Sequence, residues 1–358
     1  MSKTLFSNYF GKFLLRWNRQ KNTRSMPWKG EKDPYRIWLS EIILQQTRVE
    51  QGLKYYENFV TQFPGIVNLA EAEEKQVFKL WEGLGYYSRC RNLIATAKFI
   101  SKELKGEFPS AYEEIVKLKG VGPYTAAAIA SFAFNLPHAV IDGNVFRVLA
   151  RVFGIETPID SSAGKKLFAQ LANELLDKKH PGAYNQAIMD FGATVCKPVA
   201  PLCNECVFKK ECVAYKTNKV NELPVKEKKV RQKNRHFYFF LLERGNEIAV
   251  RERMRKDIWR HLHEFPLVET AGNANIEEII YNAIGNNWLK NTEEIVDISE
   301  VFTQKLTHQT VKGTFIIAKC RRKPSLPEGF TWVKKSALSH LAFPKMIRDF
   351  LAKHGREE

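Results

Sequence analysis

No apolar run in this chain approaches the roughly 20 residues a helix needs to cross a bilayer. The opening stretch, MSKTLFSNYFGKFLLRW, has neither an unbroken apolar core nor a small-residue cleavage site. A secretory signal is therefore not expected, and the stretch reads as an amphipathic helix. Phosphate loops of the nucleotide enzymes are missing: there is no G-x-x-x-x-G-K-[ST] and no G-x-G-x-x-G after a strand. Acidic residues are few beside basic ones, 39 Asp and Glu against 56 Lys and Arg, for a formal charge of +17. That excess points to a polyanionic partner, nucleic acid before an anionic membrane, with a merely solvated basic surface as the alternative. Cysteine is scarce: Cys90 and Cys320 stand alone as ordinary thiols, and Cys196, Cys203, Cys206 and Cys212 cluster. Without an export signal, such clustering favours metal over disulfides.

What is present suffices for two domains, each with a core, in 358 residues at 44% hydrophobic content. Residues 1–216 carry helical spacing in segments such as YENFVTQF, EEKQVFKLWEGLG, AGKKLFAQLANELLDKK and YNQAIMDFGATVC. Residues 217–235, TNKVNELPVKEKKVRQKNR, read as an exposed basic linker. From 236 to 358 the texture becomes α+β. HFYFFLLERGNEIAVRERM reads as two strands around a turn and LTHQTVKGTFIIAKC as another strand pair; IEEIIYNAI and PKMIRDFLAKH read as helices.

In LKGVGPYTAAAIA, a short helix runs into Gly120-Val121-Gly122 and a second helix follows. Glycines permit the tight turn, and free N–H groups at the second helix's start suit a phosphate oxygen. A plain helix-connecting turn is the competing reading. Twenty residues on, Asp142 opens another helix in AVIDGNVFRVLARVFGI, a place an N-cap alone would explain. The four clustered cysteines follow with six, two and five residues between them. Four thiolates so spaced suit zinc or a [4Fe–4S] cluster, and spacing does not choose. In DPYRIWLSEIILQQTRV, a helix over 34–47 puts Glu41 on one face with Ile37, Trp38, Leu44 and Gln45. Burial there would raise its pKa; an exposed glutamate is the ordinary alternative.

The stretch LKGVGPYTAAAIASFAFNLPHAVIDGNVFRVLARVFGI resembles the helix–hairpin–helix–Gly/Pro–Asp signature of base-excision DNA glycosylases. In that superfamily the hairpin grips the DNA backbone, here through Gly120 and Gly122, and the Asp faces the sugar of an extruded nucleotide. The cysteine spacing is similar to the iron–sulfur loop of endonuclease III and the adenine glycosylases, which implies a [4Fe–4S] cluster on Cys196, Cys203, Cys206 and Cys212. Lys197, Lys209 and Lys210 inside the loops fit a basic, DNA-facing surface.

PWKGEKDPYRIWLSEIILQQTRVEQ, LWEGLGYYSRCRNL and YNQAIMDFGATVC are similar to the adenine glycosylase (MutY) family, over nearly the whole chain. The resemblance implies a mainly α helix–hairpin–helix glycosylase core with an iron–sulfur loop and a Nudix-like α+β C-terminal domain. It implies Glu41 as the catalytic acid and Asp142 as the stabiliser of the sugar cation, supported by Tyr124 and Asn144. Endonuclease III-like members carry a lysine nucleophile where this chain has Tyr124, so the Schiff-base route lacks its amine. Trp28 and Gln186 match adenine-pocket positions; Gln46, Leu84 and Tyr86 match the wedge that enters the base stack, with Arg89 and Arg91 near phosphates.

IWRHLHEFPLVE resembles the W-x-x-L-x-E-F-P element of the family's C-terminal domain, and no Glu-rich metal helix accompanies it, so binding without hydrolysis is expected. The family's Phe-Ser-His reader of the opposite base becomes Leu306, Thr307 and His308. The expected substrate is duplex DNA with adenine opposite 8-oxoguanine or guanine, taken by a bacterial cytoplasmic monomer with no membrane partner. The rivals are an endonuclease III-like glycosylase for another base and a non-catalytic iron–sulfur DNA-binding protein.

Overall fold

A computed structural model describes residues 3–227, 232–290 and 294–354. The chain divides into two units, Met1–Glu71 with Arg91–Lys228, and Ala72–Cys90 with Lys229–Glu358. In chain order the helices are α1 (Lys3–Lys21), α2 (Pro34–Leu44), α3 (Val49–Gln62), α4 (Ile66–Glu71), α5 (Glu74–Leu80), α6 (Tyr87–Glu103), α7 (Tyr112–Ile115), α8 (Pro123–Ala133), α9 (Gly143–Phe153), α10 (Ser162–Leu175), α11 (Pro181–Thr194), α12 (Val213–Lys216), α13 (Ile276–Gly285) and α14 (Lys345–His354).

The first unit is helical, and its helix starts are written in the sequence. Asp33 caps α2 by accepting from Tyr35 N at 2.9 Å, with Pro34 at the first helical position. Pro123 likewise opens α8, there after Gly122 with no side-chain cap, and Asp142 caps α9. α2 stops at Leu44 rather than running to 47, and Gln46 takes a left-handed φ of 58°. The core gathers around α1, α9, α10 and α11, where Phe10, Trp17, Leu149, Phe168 and Phe191 are buried. Phe10 stacks on Phe208 at 4.5 Å, fastening the cysteine loop's neighbourhood to α1. Each such fully buried aromatic contributes on the order of 2 kcal/mol of transfer free energy.

The stretch expected as an exposed linker is not loose where it is described. Leu223 is buried and packs into this core, Arg151 Nε donates to its carbonyl at 3.0 Å, and Ile159 N donates to Val225 O at 3.0 Å. Val220, Leu223 and Val225 supply enough apolar surface to dock it. Residues 228–231 lie outside the described residues, and Lys233–Arg235 already belong to a strand.

The second unit holds β1 (Lys233–Arg244), β2 (Glu247–Glu252), β3 (His263–Glu264), β4 (Leu267–Thr270), β5 (Glu294–Ile298), β6 (Phe302–Lys305), β7 (Gln309–Lys319) and β8 (Thr331–Lys334). The sheet order is β3-β2-β1-β7-β5, with β4 on β1, β6 on β7 and β8 on β2. β1 and β7 run parallel, Phe239 opposite Phe315. They are buried on both faces: α13 covers one with Ile279 and Ala283, and Phe350 of α14 stacks on Phe315 at 3.9 Å on the other. β6 and β7 form a hairpin with Leu306, Thr307 and His308 at its tip. Residues 72–90 join this unit despite their place in the chain. Lys79 Nζ donates to Leu341 O at 3.0 Å, and Phe343 N donates to Glu82 Oε1 at 2.8 Å.

Candidate active site

The ends of α2, α8 and α9, together with α11 and the turn after α1, enclose a cavity of about 850 Å³. Glu41 lies in its wall beside Ile37, Leu44 and Gln45, and is only 7% exposed. Burial is the main cause that pushes its carboxyl up to about 7; the Asp142 charge adds to the rise, and a hydrogen bond donated by the Tyr124 hydroxyl opposes it. Tyr124 itself is held well above the ordinary phenol range, chiefly by burial and then by the two carboxyls, so it stays a donor.

Asp142 is both an N-cap and a cavity residue. Its Oδ1 accepts from Val145 N at 2.8 Å and its Oδ2 from Asn144 Nδ2 at 2.7 Å. Burial raises its pKa, while these bonds and the Arg147 charge hold it down. Arg147, unremarked in the sequence, joins Asn144 to the cysteine loop: Nη2 reaches Asn144 Oδ1 at 2.7 Å and Nε reaches Cys196 O at 2.7 Å. The i,i+3 offset of Arg147 from Asn144 on α9 was the available signal; the loop carbonyl it meets was not.

Trp28 and Gln186 line the same cavity, Trp28 resting edge-on against Tyr56 at 5.2 Å. Gln46 lies at its mouth, exposed. A second unremarked residue is Asp190, fully buried one turn beyond Gln186.

At the hairpin, Gly120 has φ +80°, and a Cβ there would lie 2.6 Å from Asn92 Cβ. Gly122 is exposed at the start of α8, with open space around it. A backbone phosphate could approach that helix end closely.

The four clustered cysteines are free thiols that line one small space with Phe191, Val195 and Val220. Arg151 Nη1 stands 3.6 Å from Cys196 Sγ. Among the described residues no group of three or more Cys, His, Asp or Glu is spaced for a metal ion. Four thiols on a shared apolar space, with a guanidinium beside them, are nonetheless the donor set an iron–sulfur group requires.

In the second unit the Tyr86 hydroxyl hydrogen-bonds the Thr307 hydroxyl, bringing together two residues far apart in the chain. Tyr86 is exposed with a left-handed φ of 48°, and Thr307 and His308 are exposed beside it on the hairpin. Leu84, by contrast, is only 6% exposed, and Arg89 lies buried over the Trp81 and Tyr86 rings. Neither presents a free surface to a duplex in this conformation.

Residues 39–174 match the family model of the HhH-GPD superfamily base excision DNA repair proteins, and residues 237–353 match the NUDIX domain. The chain is 36% identical to the adenine DNA glycosylase of Buchnera aphidicola subsp. Baizongia pistaciae over 84% of each chain. It is 32% identical to that of the Schizaphis graminum subspecies, over 96% of this chain and 97% of the relative. Among solved structures, a thermostable thymine-DNA glycosylase superposes with a TM-score of 0.56 at 27% identity, covering 61% of this chain and all of that one.

Proposed function

The chain belongs to the adenine DNA glycosylase family, and from that premise we propose that it excises adenine opposite 8-oxoguanine or guanine by acid-assisted hydrolysis of the N-glycosidic bond. The observation that carries the reading is Glu41, a buried carboxyl with a pKa near 7 in a cavity it shares with Asp142. An acid about half protonated at neutral pH can donate to a base; one at an ordinary carboxyl pKa would be almost wholly ionised there.

The steps follow from the groups present. An extruded adenine enters the cavity past Trp28 and Gln186. Glu41 gives its proton to a ring nitrogen of the base, and the C1′–N9 bond breaks with its electron pair leaving on adenine. Asp142, oriented by Asn144, faces the sugar cation and stabilises it electrostatically. Water then adds at C1′ and gives up a proton, which the Glu41 carboxylate left by the first step takes back. Tyr124 holds Glu41 in place and offers no amine for a Schiff base.

We assign backbone grip to the Gly120–Gly122 hairpin. Gln46, Leu84 and Tyr86 are the wedge, Leu84 requiring a shift of its loop to reach it; Thr307 and His308 read the opposite base. In this division residues 1–216 do the chemistry and 236–358 the reading. A [4Fe–4S] cluster on Cys196, Cys203, Cys206 and Cys212 would supply iron–thiolate bonds that cross-link the loop. Visible absorbance lost in Cys203→Ser supports it; a colourless wild-type protein opposes it.

The deciding experiment is adenine release from duplexes holding adenine opposite 8-oxoguanine, guanine or thymine. Release from the first two and not the third is expected. Tight duplex binding with no release from any would overturn the reading.

A further inference from the structure

One buried carboxylate in the first unit is not used by the chemistry above. Asp190 is 0% exposed and accepts four hydrogen bonds. Its Oδ1 takes Arg24 Nη1 at 2.9 Å and Gln186 Nε2 at 3.0 Å; its Oδ2 takes Lys29 Nζ at 3.0 Å and Asn22 Nδ2 at 2.8 Å. Lys29 Nζ also donates to Arg24 O at 2.8 Å, closing the turn after α1 onto α11. Arg24, Lys29 and Gln186 all line the cavity that holds Glu41.

A carboxylate only accepts, so the end of the Gln186 amide that meets Asp190 must be the NH₂. The amide is planar, with its oxygen on the opposite corner. Gln186 Oε1 is therefore left toward the cavity, and among the described residues no donor holds it. The same carboxylate draws the two cationic heads, Arg24 and Lys29, to itself. The wall thus offers an acceptor where it could otherwise offer several donors. Adenine carries a donor, the N6 amine, at the edge where guanine and hypoxanthine carry an acceptor, O6.

We propose that Asp190 is a positioning residue that fixes which end of the Gln186 amide faces the cavity, and thereby makes the site prefer a 6-amino over a 6-oxo purine. The proposal rests on the glycosylase reading and adds to it a residue that need not touch the base. A site built to accept from one amine leaves that acceptor facing O6 when the wrong base enters, a mismatch worth about tenfold or more in rate.

The test compares single-turnover release of adenine and of hypoxanthine, each opposite the same partner base, at saturating protein. The wild type should favour adenine by at least about tenfold. Asp190→Asn can donate to as well as accept from Gln186, so the amide can reverse and the cations are released. Its adenine-to-hypoxanthine ratio should fall by about tenfold, with the pH profile of release unmoved. Gln186→Met removes the amide and leaves the Asp190 ion pairs intact, so it decides the matter if Asp190→Asn does not fold; the same fall is expected. An unchanged ratio in a folded variant, or equal rates in the wild type, would overturn the proposal. A wild type that releases adenine but fails these comparisons sinks only the role of Asp190. A wild type inert on every duplex sinks the glycosylase reading and this inference together.

Discussion

Arg147 Nη2 donates to Asn144 Oδ1 at 2.7 Å, and the same guanidinium, through Nε, holds the carbonyl of Cys196. Asn144 in turn donates to Asp142, so the cysteine loop and this cavity carboxylate share one chain of bonds. Arg147→Gln should slow adenine release by roughly 10- to 100-fold, while duplex affinity changes only a few-fold. Arg147→Lys should rescue little, because a lysine lacks the fork that reaches two acceptors at once. Single-turnover rates beside binding isotherms check this; full activity in Arg147→Gln would break the link.

In the proposed mechanism Glu41 acts in its protonated form, and its pKa lies near 7. Release should therefore decline above pH 7, by up to tenfold per unit. Glu41→Gln should abolish release and keep binding. A rate still flat at pH 9, or turnover surviving in that variant, would remove the acid.

The same burial bears on stability. The folded-state pKa of Glu41 is about 7 against an ordinary value of 4.5, so the folded form holds the proton more tightly. Stability should be greatest below about pH 4.5 as far as this group is concerned, and should fall as pH rises to 7. The loss is about 3 kcal/mol by linkage. Burial raises Asp142 too, which acts in the same direction. Denaturant melts should show Glu41→Gln more stable than wild type at pH 8 and little different at pH 5. A variant equally or less stable at pH 8 would contradict the buried placement.

The two hairpin glycines should separate folding from grip. Gly120→Ala meets both φ +80° and the Asn92 side chain, and should destabilise the protein by about 1–2 kcal/mol. Gly122→Ala has open space and an ordinary φ of −93°, so the melt should hardly move. Its added methyl stands where a phosphate would approach, and duplex affinity should drop several-fold. Loss of stability in Gly122→Ala with unchanged affinity would reverse the assignment.

Tyr86 and Thr307 should act as one element. Tyr86→Phe and Thr307→Val should each reduce the preference for 8-oxoguanine over guanine by about fivefold. The double variant should lose no more than either alone, a coupling of about 1 kcal/mol. Additive losses would mean the two hydroxyls work separately.

Much of the site was legible because its signals are local. The spacing of the four cysteines, the G-V-G turn and the place of Glu41 on an apolar helix face are all set within one or two helical turns. The same holds for the Asp142 cap, which turned out to be the cap and the cavity carboxylate at once. What stayed hidden depended on partners far along the chain. Three of the four side-chain donors of Asp190 come from the turn after α1, more than 160 residues away. Leu84 reads like a wedge and is buried, because residues 72–90 pack with the second unit. The basic stretch after α12 reads like a tether, yet three spaced apolar residues seat it on the helical core.

The sequence by itself determined the helix starts, the alternation of strands and the chemistry of each candidate group, since caps, periodicity and functional groups are properties of a few neighbouring residues. Only the tertiary structure decided which of those groups are dry and which meet. A carboxyl becomes an acid at neutral pH, and an amide shows one end rather than the other, through burial and through donors that the chain delivers from distant segments.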